Sequence, residues 1–266
     1  MRSSFLLLGL LLVSAGSAEA KPLVIFTTFE PFNGWDVNLS HEIAERALSD
    51  GWFEAAGIDA RICRLPVVYD EASRRALDCI DSIGARPDVV ISLGEGDCNI
   101  RLETAATNLD DTPSLPDNSG ETRIQRVIDP TEPARIGFTL PVDQLYCAFN
   151  GADGVEVRPS ISAGNFVCNN NGYHLARHFA ALGIPYGHIH VPHSGCAPET
   201  RDLGRNAALI ARMAAIAVDQ AQAGAIAAQP ATRDEVMQAL EALSPDNSAC
   251  RKGFLEKLLS QYESQT

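Results

Sequence analysis

Short apolar runs alternate along this chain with segments whose apolar residues recur at helical spacing. Residues 23–28 and 87–94 are continuous apolar runs, typical of strands buried on both faces of a sheet, and residues 58–68 alternate. Helical spacing follows Ser40, the predicted N-cap, and starts again at Asp70. This order predicts a mostly parallel sheet covered by helices, with functional residues at the carboxyl ends of strands.

The second half of the chain continues the pattern with longer polar stretches. Residues 99–108 predict a strand that carries Glu103. Residues 187–192 predict a strand with His188 and His190 on one face. Residues 109–135 are rich in Pro, Asp and Asn and predict a long loop. Helices are predicted over residues 141–149, from Cys168 onward, and over residues 202–227, 232–243 and 253–262.

The first twenty residues have the organisation of an export signal. Arg2 precedes an apolar run over residues 5–13, and small residues lead to Ala18-Glu19-Ala20, an A-x-A cleavage site. The apolar run is too short for a membrane helix, although a retained anchor is the alternative. We expect a signal peptide over residues 1–20, a periplasmic or secreted protein from Lys21, and no membrane contact after cleavage.

Charge and cysteine content narrow the classes of function. The formal net charge of −13 repels phosphate backbones, so nucleic acid is not an expected partner. Seven cysteines in an exported chain predict disulfides and leave at least one thiol over. The sequence does not determine the pairing. Our expectation is a bond between Cys196 and Cys250 that anchors the C-terminal segment.

Cys168 lies where a loop of small residues meets a predicted helix. Unpaired N–H groups and the helix dipole favour a thiolate at that position, and the thiolate is the nucleophilic form. A cysteine nucleophile needs a base and a group that orients the base. His190 is the favoured base, with His188 and His193 as alternatives, and Glu103 is the candidate orienting acid. A buried or disulfide-bonded Cys168 is the alternative without chemistry.

Two further patterns are weaker indications of a ligand site. His174 and His178 share a predicted helix face at a spacing that can bind a metal, but the Glu of the zincin arrangement is missing. The segment Gly94-Glu95-Gly96 is too short and too acidic for a phosphate-binding loop. We therefore expect no metal site.

Several segments, in the same order, resemble motifs of the pyroglutamyl peptidase I family of cysteine peptidases. Three of them are Thr28-Phe-Glu-Pro-Phe-Asn-Gly34, Ser162-Ala-Gly-Asn-Phe-Val-Cys-Asn169 and Ile189-His-Val-Pro192, of which the last two are the most specific. The other matching segments are Asn38-Leu-Ser40, Leu65-Pro-Val67, Leu102-Glu103 with Asn108, and Pro116-Asp-Asn118. The resemblance covers residues 22–220.

The resemblance implies a fold and an activity. The fold is a three-layer α/β/α sandwich with a mixed, mostly parallel sheet. The activity is removal of N-terminal pyroglutamyl residues from peptides, without a metal or organic cofactor. Cys168 resembles the nucleophile, His190 the base and Glu103 the acidic third member. Partners would be peptides with a blocked N-terminus, and family members often form dimers or tetramers. Four residues make the expected substrate pocket, in which the two aromatics hold the pyrrolidone ring: Phe29, Phe32, Glu95 and Val167.

The segment between Gly94 and Cys98 departs from the family pattern. It is shorter than in the family, Asp97 falls where the family has an Arg, and Glu95 stands near the place of a lactam-binding Gln. Two alternatives therefore stay open: a cysteine amidohydrolase for another acyl group, and a non-catalytic exported binding domain whose cysteines are all structural. We expect a catalytic domain over residues 21–225 and a helical extension over residues 226–266.

Overall fold

A computed structural model of the chain describes residues 20–151, 154–225, 227–243 and 249–265. The expected signal peptide lies outside the described residues except for its last position, Ala20. The strands are β1 (Leu23–Phe29), β2 (Asp59–Leu65), β3 (Val89–Gly96), β4 (Ile100–Glu103), β5 (Ala105–Thr107), β6 (Leu109–Thr112), β7 (Arg123–Val127), β8 (Arg135–Gly137), β9 (Val157–Ser160) and β10 (Tyr186–Pro192). The helices are α1 (Leu39–Ser49), α2 (Trp52–Ala55), α3 (Glu71–Ile83), α4 (Val142–Phe149), α5 (Val167–Leu182), α6 (Leu203–Gln222), α7 (Arg233–Glu241) and α8 (Ala249–Glu263).

A six-stranded sheet in the order β2-β1-β3-β10-β4-β9 forms the middle layer. The first four strands run parallel, β4 is antiparallel to β10, and β9 is parallel to β4. Helices α1, α4, α6, α7 and α8 contribute to the apolar cluster on one face, and α3 and α5 to the cluster on the other. The expected three-layer α/β/α fold with a mixed sheet is confirmed.

Two interior strands of the sheet, β1 and β10, are covered on both faces. Every residue of β1 and β10 is buried. Val24 and Phe26 of β1 belong to one apolar cluster, whereas Ile25 belongs to the other. The alternation of side chains across a strand thus supplies both cores from one run of sequence. Strand β10 carries His188 and His190 into this interior, beside β3 and β4.

The helix that follows β1 begins earlier than expected. Asn38, not Ser40, is the N-cap of α1, and its Oδ1 accepts the Ser40 N–H at 3.0 Å. The Ser40 hydroxyl is otherwise engaged, since it donates to Asn38 Oδ1 at 2.7 Å and accepts the Phe29 N–H at 3.1 Å. Ser40 therefore ties the end of β1 to the start of α1.

The polar stretch over residues 109–135 is not one loop. Strands β6 and β7 pair antiparallel within it, and Arg135 begins β8, which pairs with β5. Residues 99–108 likewise form two strands, because the chain leaves the main sheet after Glu103 and enters a small second sheet at Ala105. The hairpin is held by a buried Arg123, whose ion pairs reach well beyond its own strand.

The C-terminal segment packs against the far edge of the sheet. Helix α6 ends at Gln222, short of the predicted end, and α7 is capped by Thr232 through a capping box with Glu235. On α8, the amide of Gln261 donates to the Pro159 carbonyl at 2.8 Å and accepts the Ile161 N–H at 3.2 Å. This side chain therefore satisfies backbone groups of the edge strand β9, as a neighbouring strand would. None of the helices in the described ranges combines the length and apolar character that crossing a bilayer requires.

Three disulfides cross-link the fold. Cys63 pairs with Cys79, Cys98 with Cys196, and Cys147 with Cys250. The expected bond between Cys196 and Cys250 is wrong, although Cys250 does anchor the C-terminal segment, through α4. The Cys98–Cys196 disulfide instead links the loop after β10 to the loop after β3.

Candidate active site

Cys168 is the second residue of α5 and the free cysteine of the chain. The three asparagines that follow it are fully buried and hold the first turn of the helix in place. Asn169 bonds to the backbone of residue Thr107, Asn170 bonds to Asp70 and Asp110, and Asn171 bonds to Ser92. Sequence reasoning missed the role of these amides, because their partners lie about 60 to 100 residues away along the chain.

His190 and Glu103 form a short hydrogen bond beside that helix. The distance between His190 Nδ1 and Glu103 Oε1 is 2.6 Å, and both side chains are buried. His190 lies on β10 and Glu103 ends the adjacent strand β4. Since Glu103 engages Nδ1, the remaining nitrogen, Nε2, is left for a reacting proton. Arg101 supports the pair, with its Nε 3.2 Å from Glu103 Oε1.

His190 is the histidine that contacts Glu103, which separates it from the two alternatives. His188 shares its face of β10, with ring centroids 4.4 Å apart, and has no hydrogen-bond partner among the described residues at either ring nitrogen. His193 lies nearer the surface, where its ring faces Trp35. One ligand atom each of Cys168, His188 and His190 lies within 4.8 Å of the other two.

The two glycines at the end of β3 make this crowding possible. A Cβ on Gly94 would lie 2.8 Å from Cys168 Sγ and 2.9 Å from His188 Nε2. A Cβ on Gly96 would lie 2.8 Å from the Cβ of His190. Because Gly94 and Gly96 have no side chains, they leave room for Cys168 and for both histidines. This is a role for the segment that differs from phosphate binding.

Burial dominates the electrostatics of the cluster. It raises the pKa of the Cys168 thiol to about 12, with a further contribution from the Glu103 carboxylate. It lowers the pKa of His190 to about 3, assisted by the Arg101 guanidinium. It also lowers the pKa of His188. Both shifts in pKa favour the uncharged thiol and the uncharged imidazole over the expected resting thiolate.

A cavity of about 200 Å³ opens onto Cys168 and His190. All four residues expected to bind substrate line it: Phe29, Phe32, Glu95 and Val167. Glu95 Oε1 accepts the Leu39 N–H at 2.8 Å, and burial raises the pKa of this carboxyl. Three further lining residues had no expected role: Arg101, Leu115 and Phe166. Phe166 extends the apolar wall, with its ring centroid 5.8 Å from that of Phe32.

The other histidine pair does not build a ligand cluster. His174 approaches Asp70, with 3.7 Å between His174 Nε2 and Asp70 Oδ1, whereas His178 is exposed and stacks its edge against Phe179. Among the described residues, two groups of three bring ligand atoms together: Cys98, His193 and Cys196, and Cys168, His188 and His190. In the first group both sulfurs are held in a disulfide.

Comparison with known proteins agrees with this geometry. The family described as pyroglutamyl peptidase matches residues 22–229. The chain belongs to the pyroglutamyl peptidase family. It is 35% identical over 171 residues to a pyrrolidone-carboxylate peptidase of Pseudomonas fluorescens, covering 64% of this chain and 78% of the relative. It is 32% identical over 207 residues to one of Escherichia fergusonii, covering 74% of this chain and 94% of the relative.

Solved structures of the family share the fold. Pyroglutamyl peptidase I of Bacillus amyloliquefaciens aligns with a TM-score of 0.62 at 26% identity, covering 76% of this chain and 97% of that one. Pyrrolidone carboxyl peptidase of Thermococcus litoralis aligns with a TM-score of 0.63 at 25% identity, covering 76% and 96%. Family membership makes the chain an enzyme of the cysteine peptidase class. Family membership contradicts the non-catalytic binding-domain alternative, and Cys168 takes part in none of the three disulfides.

Proposed function

We propose that this chain removes N-terminal pyroglutamyl residues from peptides, with Cys168 as nucleophile, His190 as general base and Glu103 as orienting acid. The observation that carries the proposal is a free cysteine at the start of a helix, facing a cavity beside a His190–Glu103 pair. Its relatives are named pyrrolidone-carboxylate peptidase or pyroglutamyl peptidase I, which supports the choice of the pyroglutamyl group.

The cavity provides for a small lactam. Phe29 and Phe32 offer apolar surface to the ring, and Val167 packs behind them next to the nucleophile. Glu95 places a carboxyl at the same cavity, where an oxygen can accept the lactam N–H. A charged N-terminal amine would lose its hydration in this space, whereas the neutral lactam amide loses less. The preference for a blocked N-terminus follows from that difference.

The uncharged resting pair sets the order of proton movement. As Cys168 Sγ attacks the pyroglutamyl carbonyl, the thiol proton passes to His190 Nε2, and the Glu103 carboxylate at 2.6 Å stabilises the imidazolium. Backbone N–H groups around Cys168, at the helix N-terminus, hold the oxyanion. The amine then leaves with the proton from His190, and water hydrolyses the thioester.

A pyroglutamyl-anilide reporter tests the nucleophile. The full-length Cys168→Ala variant should lose cleavage by at least about 10³-fold, while its circular dichroism and thermal midpoint stay near those of the native protein. A prolyl-anilide reporter is the matched control, because proline has the same ring with an amine in place of the lactam. Retained cleavage of the pyroglutamyl reporter by the alanine variant would rule out Cys168 as the nucleophile.

The altered segment after β3 favours one alternative, an amidohydrolase for a different acyl group. Arg101 lines the cavity and pairs with Asp97 at 2.7 Å, so its guanidinium can also bind a carboxylate on an open-chain acyl group. Glutamyl, acetyl and pyroglutamyl anilides compared side by side separate the two activities. Faster turnover of the open-chain glutamyl reporter would favour the alternative.

We also propose that the protein is exported and cleaved after Ala20. Three disulfides support an oxidising compartment, since such bonds are rare in reducing ones. Expression with the full N-terminus, followed by fractionation and N-terminal sequencing, should give a periplasmic or secreted chain that begins at Lys21. A cytoplasmic chain that retains residues 1–20 contradicts the proposal.

The resemblance to dimeric and tetrameric relatives leads us to propose that this chain forms a homo-oligomer away from the β9 edge. Gln261 of α8 already bonds to the backbone of that edge, at Pro159 and at Ile161. Light scattering on the purified protein measures the assembly state. A Gln261→Ala variant should leave that state unchanged if the interface lies elsewhere.

A further inference from the structure

His188 is a buried histidine that the proposed reaction does not use. Its side chain is completely buried, and within the described part of the chain neither ring nitrogen meets a hydrogen-bond partner. Leaving a buried polar group without a partner costs about 1–3 kcal/mol. A residue of this kind is therefore expected to serve a ligand.

The surroundings of His188 identify the kind of ligand. One ligand atom each of Cys168, His188 and His190 lies within 4.8 Å of the other two. Sulfur and imidazole nitrogen together are the donor set that zinc prefers. Bond lengths of about 2.0–2.3 Å put tetrahedral ligands roughly 3.5 Å apart, so a contraction of about 1 Å closes the set around one ion.

Two further features of the site suit metal binding. The Glu103 carboxylate holds His190 Nδ1 at 2.6 Å, which is the outer contact that orients a metal-binding histidine and increases its basicity. The cavity opens on Cys168 and His190 and leaves a fourth position for water. The second cysteine–histidine group of the chain offers no comparable site, because its two sulfurs form the Cys98–Cys196 disulfide.

We propose that Cys168, His188 and His190 bind a borderline divalent cation such as Zn²⁺, and that the bound ion reversibly inhibits the peptidase. The Cys168 thiol gives its proton to solvent as the sulfur–metal bond forms, and the two imidazoles bind through neutral nitrogens. The bound ion then blocks both the Cys168 sulfur that attacks the substrate and the His190 nitrogen that takes the proton. The inhibition rests on the proposed function, whereas the binding does not.

Cobalt(II) is the probe for binding, because it occupies zinc sites and absorbs visible light. Titration of the full chain, free of chelator and reductant and with one titratable thiol, should produce tetrahedral d–d bands and a thiolate-to-cobalt charge-transfer band. The charge-transfer band should disappear in Cys168→Ala. In His188→Phe the affinity should fall at least about tenfold, as expected for the loss of a ligand. His178→Phe, which removes an exposed imidazole of α5, is the matched control and should bind like the native chain.

The second measurement is inhibition of the pyroglutamyl reporter by Zn²⁺, expressed relative to the metal-free rate of each variant. Inhibition should reverse with a chelator, and the inhibition constant should rise at least about tenfold in His188→Phe but not in His178→Phe. His188→Gln replaces His188→Phe if the latter does not fold. Native cobalt affinity in a folded His188 variant, or no charge-transfer band in the native chain, overturns the proposal. Cobalt spectra remain informative if the reporter is not cleaved, so the two proposals fail separately.

Discussion

Two clusters of titratable side chains, built in opposite ways, contact the first turn of α5. In the Arg123 cluster, each guanidinium nitrogen has an acidic partner at 2.7 Å: Nε pairs with Glu121, one terminal nitrogen with Asp110 and the other with Asp70. The guanidinium also lies 4.1 Å from the centroid of the Tyr69 ring. Asn170 of α5 donates to the carboxylates of both Asp70 and Asp110.

The Cys168 cluster, which consists of Cys168, His188, His190 and Glu103, has by contrast one short internal hydrogen bond and leaves other polar atoms unpaired within the described ranges. His190 and Glu103 are joined at 2.6 Å, but no described residue bonds to the nitrogens of His188, and Cys168 makes no disulfide. Buried polar groups are expensive to leave unpaired, so a cluster that pairs every guanidinium nitrogen contributes to folding, and a cluster with an unpaired imidazole indicates ligand binding. The difference predicts that substitutions in the first cluster reduce stability and that substitutions in the second reduce activity.

The largest effect is expected from Glu103→Gln. The amide keeps the shape of the carboxyl but cannot stabilise the imidazolium, and it favours the wrong tautomer of His190, so kcat/KM should fall about 10³–10⁴-fold. Steady-state kinetics with the pyroglutamyl reporter measures the loss, and thermal unfolding should change little. Asp110→Asn, also a completely buried carboxyl turned into an amide, is the matched control and should keep its kcat while losing stability. The reverse pattern would contradict the division between the clusters.

Arg123→Met should give the largest loss of stability. It leaves the buried Asp110 carboxylate without its cation, so the free energy of unfolding should fall by about 3–5 kcal/mol. Urea denaturation with the disulfides intact measures the change. Arg126→Met is the control, because Arg126 pairs with Glu121 at 3.0 Å from an exposed position and should lose less than about 1 kcal/mol. Equal losses in the two variants would show that burial of the ion pairs is unimportant.

Alkylation of Cys168 by iodoacetamide should depend steeply on pH. Burial raises the pKa of the Cys168 thiol to about 12, so little thiolate exists at neutral pH and the rate should rise about tenfold per pH unit from pH 6 to 9. Mass spectrometry of the non-reduced protein follows the single reactive thiol. His190→Ala is the control and should show the same slope, since burial keeps His190 uncharged at rest. A plateau across neutral pH would instead indicate a resting thiolate–imidazolium pair.

The sequence predicted the site better than it predicted the site's surroundings. Apolar runs located β1, β3 and β10 because burial on both faces leaves a strong local signal. Motif resemblance selected Cys168, His190 and Glu103, and the structure brings these three together. Arg101 and His188 had no such signal: Arg101 becomes relevant only because antiparallel pairing places it opposite His190.

Tertiary packing explains what the sequence could not predict. The hairpin of β6 and β7 has short polar strands, and its stabilising Arg123 pairs with a carboxylate 53 residues away. Disulfide partners are set by distance in the fold, and Cys147 and Cys250 are separated by 103 residues. The pKa of Cys168 is a similar case: the helix N-terminus is visible in the sequence, whereas the burial that raises the pKa is not.

The smallest effect is expected from Asp70→Asn at the edge of the Arg123 cluster. His174, whose Nε2 lies 3.7 Å from Asp70 Oδ1, and hydrogen bonds from Arg123 and Asn170 hold the pKa of Asp70 well below its ordinary value. A depressed carboxyl pKa stabilises the fold above the unfolded-state value near pH 4, and this stabilisation is lost as the pH falls through the folded-state value. Because the Asp70 side chain is 52% exposed, solvent screening reduces the contribution to about 1 kcal/mol.

Urea denaturation at several pH values measures this contribution. The stability difference between the native chain and Asp70→Asn should be about 1 kcal/mol at pH 7 and should narrow as the pH falls below about 4. Asp78→Asn removes the same charge from an exposed position on α3 and should stay within about 0.5 kcal/mol of the native chain. A stability difference that stays constant from pH 7 to pH 2 would mean that Asp70 acts through its shape rather than its charge. The ion pair between Asp70 and Arg123 would then contribute nothing to the stability of the Arg123 cluster.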